Sequence, residues 1–436
     1  IIAEANAELE KCKPEDPEYF EKSQFLEAVA ESCDAVKVYA GRYALLALDM
    51  AKECNDEKRK AELLKIAENC ARVPAKGARN FYEACQSFWF IQMLLQVESS
   101  GHSISPGRFD MYMYPYFKDD TIDREFAQEL MDCMWVKLND LNKVRDAASA
   151  EGFAGYSLFQ NLIAGGQTKD GRDSTNELSY MCIQATMHVL LPQPSFSVRV
   201  HNGSPHDFLI KAAELTRTGV GLPAYYNDEV IIPALISRGL TMEDARNYNI
   251  IGCVEPQVAG KTEGWHDAAF FNMCRVLELV FSNGMDEGVR ISPETGDVTK
   301  METFEEFFDA YKAQMNYMIK MLVNSDNAID TAHGERCPLP FESCMVEDCI
   351  KRGKPLQRGG AIYNFTGPQG FGIANMADGL YAVKKLVYDD KKITMAELKE
   401  ALENNFGKGA DERESIEITA RIASELERSG IKADKK

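Results

Sequence analysis

At 436 residues the chain is long enough to bury a large core and to hold two or three domains, or one barrel of that size. Its formal charge of −19, from 49 basic and 68 acidic side chains, argues against nucleic acid or anionic membrane as a partner, since both need a basic footprint. No run approaches the roughly 18 consecutive apolar residues of a membrane span. The twelve cysteines show no Cys-x-x-Cys spacing and no signal peptide precedes them, which reads as reduced thiols in the cytoplasm.

Apolar residues recur at helical spacing through residues 20–70: Leu26, Val29, Cys33, Val36, Ala40, Tyr43, Ala47 and Met50. That period predicts long helices laid on a core. A further helix is expected over 78–98, where "SFWFIQMLLQV" is apolar but interrupted by Gln92 and Gln96. "SSGHSISPGRFD" stops it with Gly, Ser and Pro, and helices return over 121–142 and 174–190. The texture changes near Pro192. "QPSFSVRVHNG" alternates Phe196, Val198 and Val200 with Ser197 and Arg199, as a strand does. A helix to about Thr218 leads to the extended "GVGLPAYYNDEVIIP", and a helix over 241–247 leads to "YNIIGCVEP". Further helices are expected up to Phe281 and over 303–323, before "GGAIYNFTGPQGFGIAN" supplies a strand and a glycine-rich loop. Strand–helix alternation over 190–390 predicts an α/β, barrel-like half preceded by a helical shell.

One stretch carries chemistry. Cys253 and Glu255 stand two apart, bracketed by Gly252 and Pro256, after a short apolar run that reads as a strand. In an extended chain both would face one side, roughly 6–7 Å apart, enough to hold one small molecule between thiol and carboxylate. From these residues alone, a turn that happens to contain Cys and Glu is the competing reading. Other clusters have less to offer. "FTGPQGFGIANM" lacks the Lys-Ser/Thr ending of a phosphate loop and reads as a tight turn. His201 and His206, His333 with Cys337, and the Cys337, Cys344, Cys349 trio all miss metal-ligand spacing. Trp265-His266-Asp267 reads as a helix start, with Asp267 at the positive end of the dipole.

Four stretches together resemble the glycyl radical enzymes, the pyruvate formate-lyase superfamily: "ESSGHSISPGRFDMYMYPYF", "GLPAYYNDEVIIPAL", "DARNYNIIGCVEPQVAGKTEGWHDAAFFN" and "GGAIYNFTGPQGFGIAN". The resemblance implies part of a ten-stranded α/β barrel, one half-barrel, inside an outer shell of helices. It places the shell over 1–190 and the half-barrel with its cysteine loop over 191–390, together a partial domain over 1–405. A helical segment over 406–436 would lead to a C-terminal glycyl radical domain. It further implies a glycyl radical installed by an S-adenosylmethionine/iron–sulfur activase, with no bound metal. Cys253 would become the thiyl that takes a substrate hydrogen atom, and Glu255 would handle the proton.

Pyruvate formate-lyase itself carries two adjacent cysteines at this loop, whereas here Gly252 precedes Cys253 and Val254 follows it, so the loop looks like the eliminating and decarboxylating branch. Within that branch the resemblance leans to cleavage of isethionate to acetaldehyde and sulfite. The alternatives are hydroxyarylacetate decarboxylase and the diol, choline or hydroxyproline lyases. A non-catalytic fragment or a split-enzyme subunit is a reading of another class. The partners implied are a small-molecule substrate, the activase and a second copy in a homodimer. The family's Arg-Val-x-Gly segment occurs nowhere in these residues, so the glycyl radical is expected on a segment outside them.

Overall fold

The helical period of residues 20–70 resolves into two helices, Tyr19–Glu53 and Glu57–Arg72. Asp56 divides them, its side chain accepting from Arg59 N at 3.0 Å as an N-cap. Phe25, Leu26, Val29 and Val36 bury the first half of the long helix, and Ala40, Ala44, Ala47 and Ala51 the second. Tyr43 and Met50, counted in that stripe by spacing, are exposed; the small alanines carry the seam instead. The computed structural model describes residues 1–99, 101, 103–143, 147–152, 158–407 and 424. They fall into two compact units, one of 1–264 with 333–365, the other of 265–332 with 366 onward.

The first unit is built on a parallel sheet of three strands, β1 (Asn161–Gly165), β2 (Ser195–Val200) and β3 (Ala224–Asn227). Helices Glu177–Val189 and His206–Thr216 make the two crossovers that a parallel pair requires. Leu162, Ala164, Phe196 and Val198 pack with Phe81, Phe109, Trp135 and Phe208 into a helix-covered core. The opposite face carries Ile163, which joins Ile232, Leu235, Tyr248, Ile250 and Val258. Ser197 and Arg199 are on this second face and are fully buried, so the alternation seen in the sequence separates two covered faces rather than core from solvent. β1 lies inside the stretch expected to be only helical shell. Buried throughout, it shows no alternation that would mark it as a strand.

In the second unit, helix Met273–Phe281, a long helix Phe304–Arg336 that runs on past residue 332, and helix Met395–Glu403 bury Val276, Val280, Phe307, Leu386 and Leu398 together. Two sequence expectations fail beside it. Residues 265–267 belong to a strand, Thr262–Asn272, and the helix starts at Met273 with Asn272 as its cap. The "FTGPQG" segment is likewise strand, Tyr363–Phe371, paired with the first one; only Gly372, at φ 77°, makes the turn into the next helix. Residues 408–423 and 425–436, where the C-terminal helical segment is expected, lie outside the described residues. Among the described residues no helix is long and apolar enough to cross a membrane.

Candidate active site

Cys253 sits at the end of a β-hairpin. Strands β4 (Tyr248–Ile251) and β5 (Glu255–Val258) pair antiparallel, with Ile251 opposite Glu255 and Asn249 opposite Gln257. That register leaves Gly252, Cys253 and Val254 to make the turn. Gly252 is left-handed at φ 53°, and a Cβ there would lie 2.7 Å from Ser103 Oγ, so both backbone and space demand glycine. The extended geometry expected for Cys-x-Glu is therefore corrected. The thiol rides on the turn, and the carboxylate opens the returning strand. What survives is their placement at one hairpin end, both half-buried, with Val254 exposed beside them.

The turn is held peptide by peptide. Gly252 N donates to Ser105 Oγ at 3.1 Å, and Gly252 O accepts from Asn161 Nδ2 at 3.2 Å. The carbonyl of Cys253 accepts from the Tyr226 hydroxyl at 2.9 Å, and Val254 N donates to Glu255 Oε2 at 2.8 Å. These partners are themselves fixed. Ser105 Oγ also accepts from Asn161 N at 2.9 Å and donates to Ser103 O at 2.9 Å. Asn161 Nδ2 donates in addition to Ser197 Oγ at 2.9 Å. Ser103 holds a left-handed backbone, φ 67°, uncommon outside glycine and the kind of strain that clusters at working sites. Burial, then the Glu255 carboxylate and the Cys253 thiol, push the Tyr226 phenol up to about 12, so it stays protonated and a donor.

The root of the hairpin rests on a buried ion pair. Arg199 Nε and Nη2 donate to the two oxygens of Asp228 at 2.8 and 2.9 Å, with both side chains wholly buried. The same guanidinium donates to Tyr248 O at 2.8 Å and Arg246 O at 2.9 Å, and stacks 3.8 Å from the Tyr248 ring centre. Arg108, buried beside it, donates to Asn247 Oδ1 at 3.0 Å; burial and the Arg199 charge draw its pKa down to about 10. On the hairpin face shared with Glu255, the buried amide oxygens of Asn249 and Gln257 have no hydrogen-bond partner among the described residues. Such oxygens are met by ordered water or by ligand hydroxyls.

The other sequence clusters do not converge here. His201 Nε2 pairs with Asp173 Oδ1 at 3.1 Å, while Cys344 and Cys349 are buried in apolar packing. Among the described residues no group of three His, Cys, Asp or Glu could hold a metal ion. A surface cleft of about 560 Å³, lined by Phe25, Pro340, Lys354 and Arg358 among others, includes no residue of the hairpin. Ser105, Asn161 and Tyr226 went unassigned in the sequence. The polar Asn161 ahead of an apolar run was the one signal available for them.

A thiol and a carboxylate thus share one tethered hairpin end, a two-stranded sheet separate from the parallel sheet whose Asn161 and Tyr226 hold its turn. Residues 1–424 match the family described as Pyruvate formate lyase-like, and the chain belongs to that family. A structure described as 1,2-propanediol dehydration in Roseburia inulinivorans matches with 63% identity and a TM-score of 0.94, covering 98% of this chain and 54% of that one. The glycerol-bound B12-independent glycerol dehydratase of Clostridium butyricum matches with 54% identity and a TM-score of 0.91, covering 97% and 57%. Among curated relatives, (2S)-3-sulfopropanediol dehydratase of Klebsiella oxytoca is 38% identical over 93% of this chain and 50% of its own length. Isethionate sulfite-lyase of Oleidesulfovibrio alaskensis is 36% identical over 92% and 49%. The chain thus spans about half the length of the curated relatives it matches. The glycyl radical resemblance and the partial α/β barrel are both borne out, the sheets among the described residues being open.

Proposed function

We propose that this chain carries the hydrogen-atom and proton groups of a glycyl radical dehydratase acting on a small vicinal diol. The observation that carries the chemistry is the hairpin end that holds Cys253 and Glu255 together. The diol is favoured over isethionate by identity: 63% and 54% to structures named for propanediol and glycerol, against 36% to an isethionate lyase.

The glycyl radical, installed by an S-adenosylmethionine activase, supplies the one-electron oxidation of the Cys253 thiol. The half-buried thiol, on a turn whose backbone is fixed and whose Val254 tip is exposed, suits exchange with a group brought to it. Cys253 takes the hydrogen atom from C1 of the diol, and Glu255 takes the proton of the C1 hydroxyl. The ketyl radical expels the C2 hydroxyl, which leaves as water with the proton returned by Glu255. The Cys253 S–H then gives its hydrogen atom back to C2. Diol becomes aldehyde and water, and both side chains are restored. The share of the protein is orientation and exclusion of water from the radical. A homodimer in a reducing cytoplasm is the setting we assign to the complete enzyme.

The test is anaerobic turnover by the complete enzyme after activation. Propane-1,2-diol should yield propanal. A protein that shows the glycyl radical signal yet forms no propanal, while releasing sulfite from isethionate, would overturn the substrate assignment.

A further inference from the structure

The peptide between Cys253 and Val254 is gripped at both ends by side chains of different kinds. Its N–H donates to the Glu255 carboxylate at 2.8 Å, and the carbonyl of Cys253 accepts from the Tyr226 hydroxyl at 2.9 Å. In the proposed reaction Glu255 gains and loses a proton. A hydrogen bond to a carboxylate is roughly twice as strong as one to a neutral group, so protonation loosens the grip on Val254 N while the thiol holds the abstracted hydrogen atom and the C2 hydroxyl has yet to leave. Tyr226 does not change state: its phenol is held up near 12 and stays a donor throughout.

Tyr226 is also set on a rigid base. It belongs to β3, on the sheet face of Arg199, its cross-strand partner. The next residue, Asn227, caps the following helix by accepting from Glu229 N at 3.0 Å, and Asp228 is locked into the buried ion pair with Arg199. Its neighbour Tyr225 points the other way, its hydroxyl 2.8 Å from Thr216 Oγ1. The Tyr226 ring packs with the Ile163, Tyr248 and Ile250 cluster, so the ring contributes burial and the hydroxyl contributes the contact to Cys253.

We infer that Tyr226 is a positioning residue that fixes the Cys253 backbone while the Glu255 proton comes and goes. The inference rests on the proposed roles of Cys253 and Glu255. Tyr226→Phe removes the hydroxyl and keeps the ring, so the melting temperature should stay within about 2 °C, hydrogen bonds being worth about 1 kcal/mol.

Two readouts decide it. In the unactivated protein, anaerobic alkylation by iodoacetamide, followed by peptide mass spectrometry, should proceed several-fold faster at Cys253 in Tyr226→Phe. The exposed Cys133 and Cys337 serve as internal controls and should not change. In the complete, activated enzyme kcat for propane-1,2-diol should fall about tenfold or more, with KM within twofold and the same radical yield by electron paramagnetic resonance. An unchanged alkylation rate at Cys253, or an unchanged kcat, overturns the inference. So does a raised KM at constant kcat, which would make Tyr226 a substrate contact. Should wild-type enzyme fail on the diol, the substrate assignment falls and the alkylation rate still decides the role of Tyr226.

Discussion

Cys253 and Glu255 show what one residue's surroundings add to its chemistry. The pair was legible because Gly and Pro bracket it in an otherwise apolar stretch, but the geometry was not. An extended Cys-x-Glu and a hairpin turn have the same sequence; the difference is set by the pairing of Ile251 with Glu255, which depends on residues further along the chain. Ser105, Asn161 and Tyr226 were illegible for the same reason. They reach the turn from 148, 92 and 27 residues away in sequence, taking Cys253 as reference, and local pattern offers at most the polar Asn161 ahead of its apolar run.

Elements follow local pattern where they have one solvent face and depart from it where they do not. The long N-terminal helices were legible from their period, while the break between them and its cap at Asp56 came only with the structure. β1 was missed because both its faces are covered, and the strand expected to begin near Tyr363 was cut short because the glycines that follow Phe365 read as punctuation, although it runs on to Phe371. The pair Arg199–Asp228 ties β2, the helix after β3 and the root of β4 together. Asp228→Asn should leave the buried guanidinium undercompensated and cost about 3–5 kcal/mol, read as a lower urea midpoint at unchanged slope. A second element-level test is pH. Burial, with Glu98 beside it, raises Glu342 to about 7, while Glu98 itself accepts from Phe341 N and Glu342 N. An unfolded glutamate titrates near 4.3, so the folded form holds this proton more tightly. The stabilisation is present below about 4.3 and is lost as pH rises through about 7. Glu342→Gln should flatten the fall in melting temperature between pH 5 and 8; an unchanged slope would place its origin elsewhere.

At the scale of the molecule, charge and length narrowed the partner class, and four motif stretches indicated the family, which the match over residues 1–424 establishes. Substrate was the least legible property. The Cys-x-Glu turn is common ground for C–S, C–O and C–C cleavage in the resemblance, and only overall identity distinguishes among them. The reading as a non-catalytic fragment would predict no loss on removing either reacting group, and that makes the pair itself the decisive place to look. The measurement is turnover by complete, activated Cys253→Ser and Glu255→Gln enzymes, each with its glycyl radical counted by electron paramagnetic resonance. With the radical present, turnover should vanish in the first and fall roughly 10²–10⁴-fold in the second, the range expected for loss of a general acid–base. Turnover within tenfold of wild type in either, at equal radical content, would contradict the shared role assigned to this hairpin end.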